Sequence, residues 1–260
     1  MLKYPFTRKE EIRFLAKFVL VLLLIYICLF QFILPANKVL PMPAMLAESF
    51  ISIWSDYNLL FSLAVTVSVV YLAMAAAYGI VYLLKGVLSS IYFSHRQIIS
   101  AFKIFKYFPA FLYAVLFDYW FTGSYYAEFA FAVIAASALM INHFLNELDN
   151  VKEDYIVFAA GLGVKENTIV SKILWNSAKD AMLRFLKRVN FYIWVVVLIF
   201  EYIANVEGIG HVYNRMLAYR DLAGLIAAAI IISVIIYGAS KLIDYLYSKL
   251  IHWEKEEGQI

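Results

Sequence analysis

The feature that most constrains this chain is a succession of apolar runs, each about 15 to 25 residues long, separated by polar or charged breaks. A hydrocarbon core is ~30 Å thick, which a helix of about 20 apolar residues crosses. The runs do not alternate apolar with polar residues, so they do not suit the strands of a lipid-facing barrel. Of the 260 residues, 64% are hydrophobic and 16% are charged, against about 25% charged in a soluble domain. One globule of this length cannot hide that much apolar surface, so the bilayer must act as solvent. Backbone groups in lipid must be paired within their own segment, which selects helices. The expected fold class is all-α, a polytopic helical membrane protein.

Six spans are expected, at residues 14–34 (ending before Pro35), 59–84, 107–121, 127–145, 189–204 and 223–247. The third and fifth are short for the core and should extend into neighbouring polar turns or be shielded by protein. Placing both termini inside puts nineteen Lys and Arg residues on the cytoplasmic side and leaves Lys38, Arg215 and Arg220 outside. That asymmetry orients the chain in the cytoplasmic membrane by the positive-inside rule. The first run is longer than a cleaved signal's 7 to 15 apolar residues and reads as an uncleaved anchor. Residues 41–54 read as an external loop carrying a short interfacial helix. The organisation is then an N-terminal segment, first span and external loop (1–58), a five-span core (59–253) and a cytoplasmic tail (254–260).

Several functions have no support. The lone Cys28 excludes an intrachain disulfide or a multi-cysteine metal site. His95, His143, His211 and His252 are scattered and give no metal-ligand spacing. The basic residues flank spans and form no separate basic domain, so nucleic acid is not an expected partner. Neither a catalytic constellation nor a resident cofactor is expected, whereas membrane lipid is.

The long polar stretch 146–188, between the fourth and fifth spans, needs a reason in such a chain. Ile169, Val170, Ile173 and Leu174 recur at helical spacing. Gly161 and Gly163 should break a continuous helix, giving two helices joined by a tight turn at the cytoplasmic surface. This elbow is either a docking surface for a soluble partner or an amphipathic hairpin on the headgroups.

The elbow resembles the cytoplasmic loop of binding-protein-dependent ABC importer permeases, whose pattern is approximately E-A-A-x-x-L-G-A followed by V-x-L-P-x-A-x-P. The pattern falls on Val157, Phe158, Ala159, Ala160, Gly161, Leu162, Gly163 and Val164, then on Ile173, Leu174, Trp175 and Ala178. Ala159, Leu162 and Gly163 match, while Val157 replaces the acidic residue and Trp175 the proline. Pro109 with Asp118, Tyr119, Trp120, Phe121, Thr122 and Gly123 resembles the third span and W-F-G turn of the nitrate, sulfonate and taurine branch. Glu201 with Gly208, Ile209 and Gly210 resembles that branch's A-E and S-x-G-L-G segment. Arg220, Asp221, Asp244, Tyr245, Leu246 and Trp253 resemble its last span and tail. The likeness covers residues 62–253. Related branches carry bicarbonate, pyrimidine precursors or riboflavin.

The resemblance implies a type I ABC importer permease fold and a subunit that moves a small polar solute by alternating access. It also implies partners: an ABC ATPase that binds ATP and Mg, an extracytoplasmic substrate-binding protein, and a second permease, identical or related. Ala159, Ala160, Gly161, Leu162, Gly163, Val164 and Lys165 would then be the ATPase-coupling element. Pro109, Asp118, Glu201, Gly208 and Gly210 would be pathway or gate candidates. No G-x-x-x-x-G-K-[ST] occurs in the chain, so ATP hydrolysis would belong to the separate ATPase and this chain would be no enzyme itself.

Ionisable residues inside spans are costly and often functional. Asp118, Glu128 and Asn190 lie near span ends, where reaching the interface is cheap. Glu201 is expected to matter through its match to the family's acidic position, holding either Gly208–Gly210 or an arginine in place. Ser62, Thr66 and Ser68 read as packing or interhelical hydrogen-bonding groups, and the small residues from Ala73 to Gly79 as a close-approach face. Two alternatives remain beside the importer: an ion-gradient-driven carrier, with ionisable residues paired near the midplane, and a diverged, non-transporting membrane scaffold.

Overall fold

A computed structural model of the chain describes residues 8–34, 40–94, 109–122, 124–148, 151, 158–159, 161–165 and 168–250. Pro35, Lys38, Tyr107, Phe108, Gly123, Val157, Ala160, Trp253 and the tail 254–260 lie outside them. The described residues form eight α-helices: α1 (Arg8–Ile27), α2 (Pro43–Asp56), α3 (Leu59–Ser94), α4 (Ala110–Trp120), α5 (Tyr125–Leu148), α6 (Trp175–Ala204), α7 (Ile209–Ala218) and α8 (Leu222–Leu250). Wider π-helical turns extend α1 over Cys28–Ile33 and precede α6 over Ile169–Leu174.

Among the described residues, four stretches are long and apolar enough to cross a membrane: Arg13–Ile33, Leu59–Tyr92, Tyr126–Leu148 and Leu222–Lys249. A fifth is added if Lys172–Ala204 and Ile209–Ala218, bent by 52° at their junction, count as one span. This differs from the six expected. The described part of the third span, α4, has 11 residues, about 16 Å at 1.5 Å per residue, roughly half of a ~30 Å core. The fifth span is longer than expected. α6 starts at Trp175, so residues 175–188, assigned to a loop for their charge, continue the span as one amphipathic helix.

The chain divides into two compact units. In the first, residues 1–59 with 215–231, α1 exposes Phe14, Leu15 and every residue from Phe18 to Ile25. The stretch from Phe18 to Ile25 is apolar on all sides and no described residue covers it, which suits it to lipid. Pro43 at the first helical position, after an extended Met42, starts α2 with φ already set. Tyr26 Oη donates to the carbonyl of Pro41 at 2.7 Å. Tyr57 Oη donates to Asp221 Oδ2 at 3.0 Å, while Asp221 Oδ1 accepts the Gly224 N–H at 2.8 Å and caps α8. Burial, then the Asp221 hydrogen bond and charge, push the Tyr57 phenol up to about 12. The phenol therefore donates unimpaired below its ordinary value of about 10, and the tie is lost as pH rises through about 12.

The second unit, residues 60–214 with 232–260, is organised around α5 and α6. Along α5, Glu128, Ala132, Ala136, Met140, Phe144 and Leu148 recur every fourth residue and are buried. The buried stripe of α6 runs from Trp175 through Met182, Asn190 and Val197 to Glu201. Phe131 stacks on Phe200 with ring centroids 5.0 Å apart, and Phe117 of α4 meets both. At the other end Trp175 is ringed by Tyr78, Tyr82 and Phe144, and the Lys85 ammonium lies 3.8 Å from the Tyr82 ring centre. On α3, Leu63, Thr66, Val70, Ala73, Ala77 and Val81 form the buried face. Ala73 and Ala77 lie on the expected close-approach face.

Lipid is as apolar as leucine, so this packing rests on shape and dispersion more than on escape from water. Enlarging the α3 face should therefore hurt more than trimming its lipid side. Ala77→Leu is expected to cost about 1–3 kcal/mol by overpacking, whereas Leu72→Ala on the exposed side should stay within about 0.5 kcal/mol. Thermal unfolding of the purified protein in detergent checks the contrast.

Candidate functional site

α6 ends where Asn205 adopts a left-handed conformation (φ 52°, ψ 37°), a role that asparagine tolerates. The chain then doubles back through Val206, Glu207 and Gly208 into α7. Gly208 has φ +149°, which side-chain-bearing residues seldom adopt, and a Cβ there would collide with the Glu201 carboxyl. At Gly210 a Cβ would strike the Leu198 carbonyl and lie 2.6 Å from the Tyr202 nitrogen. Both obstacles are backbone and cannot swing aside. The two glycines let α7 sit directly on the last turn of α6.

Glu201 lies at the centre of this junction with 0% exposure. Its Oε2 accepts the Gly210 N–H at 2.6 Å. Its Oε1 accepts the Thr66 hydroxyl of α3, also at 2.6 Å. Thr66 Oγ1 in turn accepts the Ile209 N–H at 3.0 Å. The hydroxyl proton has a second potential acceptor in the Ser62 carbonyl at 3.1 Å. The shorter, charge-assisted contact to Glu201 is the stronger. The first two amides of α7, orphaned in any helix, are thus capped by side chains of two other helices, and a negative carboxylate complements the positive end of the helix dipole.

Glu128, in the first turn of α5, brings a second carboxyl to the same place. It is 5% exposed, and its buried Oε1 has no hydrogen-bond partner among the described residues. Ala127 and Phe200, the chain neighbours of the two acids, belong to an apolar cluster with Ala114, Phe131, Tyr113 and Phe117.

Of the pathway and gate candidates, Glu201, Gly208 and Gly210 are brought together, and Glu201 holds the glycine segment rather than an arginine. Pro109 is the extended N-cap of α4 (φ −62°, ψ 128°), outside the helix proper. Asp118 is half-buried on α4, where its carbonyl accepts the Thr122 hydroxyl at 2.9 Å. The described bonds do not draw it into the cluster. Thr66 and Glu128 complete the site although sequence reading left them as a packing hydroxyl and an interfacial acid. Elsewhere, Asn190 Nδ2 donates to Ser240 Oγ of α8 at 3.2 Å, and His143 stacks on Phe185 at 3.9 Å. Both fasten helices together. No group of three or more metal-binding side chains occurs among the described residues.

The elbow is a separate element. Phe158 and Ala159 are helical, Gly163 is left-handed (φ +74°), and the Val164 N–H reaches back to the Ala159 carbonyl at 3.1 Å. This six-to-one bond around a left-handed glycine is a Schellman termination. The Lys165 carbonyl then accepts the N–H groups of Thr168 (2.8 Å) and Ile169 (3.1 Å), starting the next helix. Gly163 therefore makes the turn, whereas Gly161 is still helical. Ala159 is buried, but Phe158 (69%) and Leu162 (68%) are exposed one turn apart. Val164 is half-buried, and Gly161, Gly163 and Lys165 are exposed.

Comparison with protein families, curated proteins and solved structures finds no match to this chain.

The junction makes separable predictions. Thr66→Val keeps shape but orphans Glu201 Oε1 and the Ile209 amide, and should cost about 1–3 kcal/mol for each group left unpaired. Gly210→Ala should cost about 1–3 kcal/mol by forcing the helices apart. Both would appear as lowered unfolding temperature, while Ser68→Ala, on the exposed side of α3, serves as a near-neutral control.

Proposed function

We propose that this chain is the transmembrane permease subunit of an ATP-driven ABC importer, carrying a small polar solute such as an organic or inorganic anion or a vitamin-like heterocycle. The observation that carries this reading is the elbow. A short, glycine-terminated helix with an exposed Phe158/Leu162 pair offers the apolar knob that a groove on a soluble partner takes up. Beyond the turn, the π-helical stretch Ile169–Leu174 passes into α6 without a break in helical backbone. Glu201 lies in the last turn of α6, so the helix that follows the elbow also carries the carboxylate that seats α7. In this reading a cytoplasmic ATPase grips the elbow, α6 conveys its movement, and the α6–α7 junction responds on the outer side. An external binding protein and a second permease copy or paralogue complete the pathway.

A secondary carrier is favoured by one observation, the buried Glu128–Glu201 pair. The pair sits in the first turn of α5 and the last turn of α6, away from the midplane where carriers place coupling sites. The importer reading therefore stands ahead.

The test uses the exposed residues, since a charge at buried Ala159 would disturb the fold. The protein is co-expressed with an ATPase bearing a Walker motif and encoded beside it, then purified in mild detergent. Leu162→Glu and Phe158→Glu are expected to reduce recovered ATPase tenfold or more, with unfolding temperature unchanged. Equal recovery from wild type and both variants, or none from wild type, would sink the coupling assignment.

A further inference from the structure

We propose that the exposed face of α8 from Val234 to Lys249 binds an anionic phospholipid. Lys241 and Lys249 hold its phosphate, and the apolar stretch before them takes an acyl chain. The proposal rests on α8 spanning the membrane and is independent of the importer reading. One face of this helix is engaged within the protein. Ser240 Oγ accepts from Asn190 Nδ2 at 3.2 Å, Asp244 Oδ2 from the Lys187 ammonium at 2.7 Å, and Tyr247 Oη from Arg184 at 3.0 Å. On the other side, Val234, Tyr237, Gly238, Lys241, Tyr245 and Lys249 are all exposed. With 3.6 residues per turn they share about a third of the helix circumference. A Cβ at Gly238 would meet nothing within 4 Å, so the glycine opens a notch in this face.

Side chains on a helix slant toward its N-terminus. The apolar part of α8 lies N-terminal to Lys241, so both lysines lean back toward the hydrocarbon. The Lys241 ammonium lies 5.4 Å from the Tyr237 ring centre and that of Lys249 4.9 Å from Tyr245. Each ring stands one turn nearer the apolar run than its lysine. A ring face attracts a cation without neutralising it, and among the described residues no carboxylate pairs with either lysine. Two positive charges held at the edge of the hydrocarbon meet lipid phosphates there. A zwitterionic headgroup brings its own ammonium to the same place, whereas an anionic one does not. A second copy related by a two-fold axis would set each lysine against its own counterpart, like charge against like.

Native mass spectrometry of the full-length protein, released from detergent with phosphatidylglycerol or phosphatidylcholine added, reads lipid retention directly. Wild type should retain phosphatidylglycerol in preference to phosphatidylcholine. Lys241→Gln and Lys249→Gln should each cut that preference about fivefold, and Lys241→Arg should keep it. The double variant Arg13→Gln, Lys17→Gln, which removes two exposed charges from α1, should leave the preference unchanged. Equal retention of the two lipids by wild type, or an equal loss in the α1 variant, overturns the proposal. So does a dimeric wild type that Gly238→Trp returns to monomer, which would give this face to a second copy.

Discussion

A buried carboxylate that caps a helix other than its own is the interaction on which the second unit depends. Glu201 is carried by α6, but the amide it satisfies opens α7, and the hydroxyl that steadies it comes from α3. Two consecutive helices and a third distant in sequence thus meet at one functional group. The glycines at 208 and 210 follow from that arrangement, because only a backbone without Cβ can approach the carboxyl and the last turn of α6 so closely. In a membrane, where lipid competes on equal terms with apolar side chains, such a polar knot specifies one arrangement of helices where greasy packing alone would permit several.

Much of the architecture was legible in the sequence because lipid imposes a simple rule on composition. The apolar runs at 59–84, 127–145 and 223–247 lie within α3, α5 and α8, and the Pro43 start of α2 follows from proline's fixed φ. Hydropathy fails where a helix leaves the hydrocarbon yet stays helical. Lys179, Asp180, Arg184, Lys187 and Arg188 read as a loop, but they belong to α6, where Lys187 pairs with Asp244 at 2.7 Å. The Gly163 turn was readable, since glycine is the residue for a left-handed cap. Gly161 was misassigned because an exposed helical glycine looks no different in sequence.

The site was less legible. Glu201 and its glycines stand close enough along the chain to suggest a unit. Glu128 stands far from Glu201 in sequence, and no spacing rule brings two acids from different helices face to face. Nothing in the run around Thr66 marks that hydroxyl as the one meeting α7 rather than Ser62 or Ser68. Such pairings are tertiary facts, created only when helix faces are matched.

The uninterrupted course of α6 has a mechanical consequence. Thirty residues make a rod about 45 Å long at 1.5 Å per residue, without a proline to soften it. Pivoted at one end, such a lever arm turns a tilt of about 10° into a sideways sweep of roughly 8 Å at the other, by the same rise per residue. The wider π-helical turns lie just ahead of its start and the glycine-built bend just beyond its finish. The two departures from regular α-helix lie at its extremities, so a tilt moves the shaft between them as one piece.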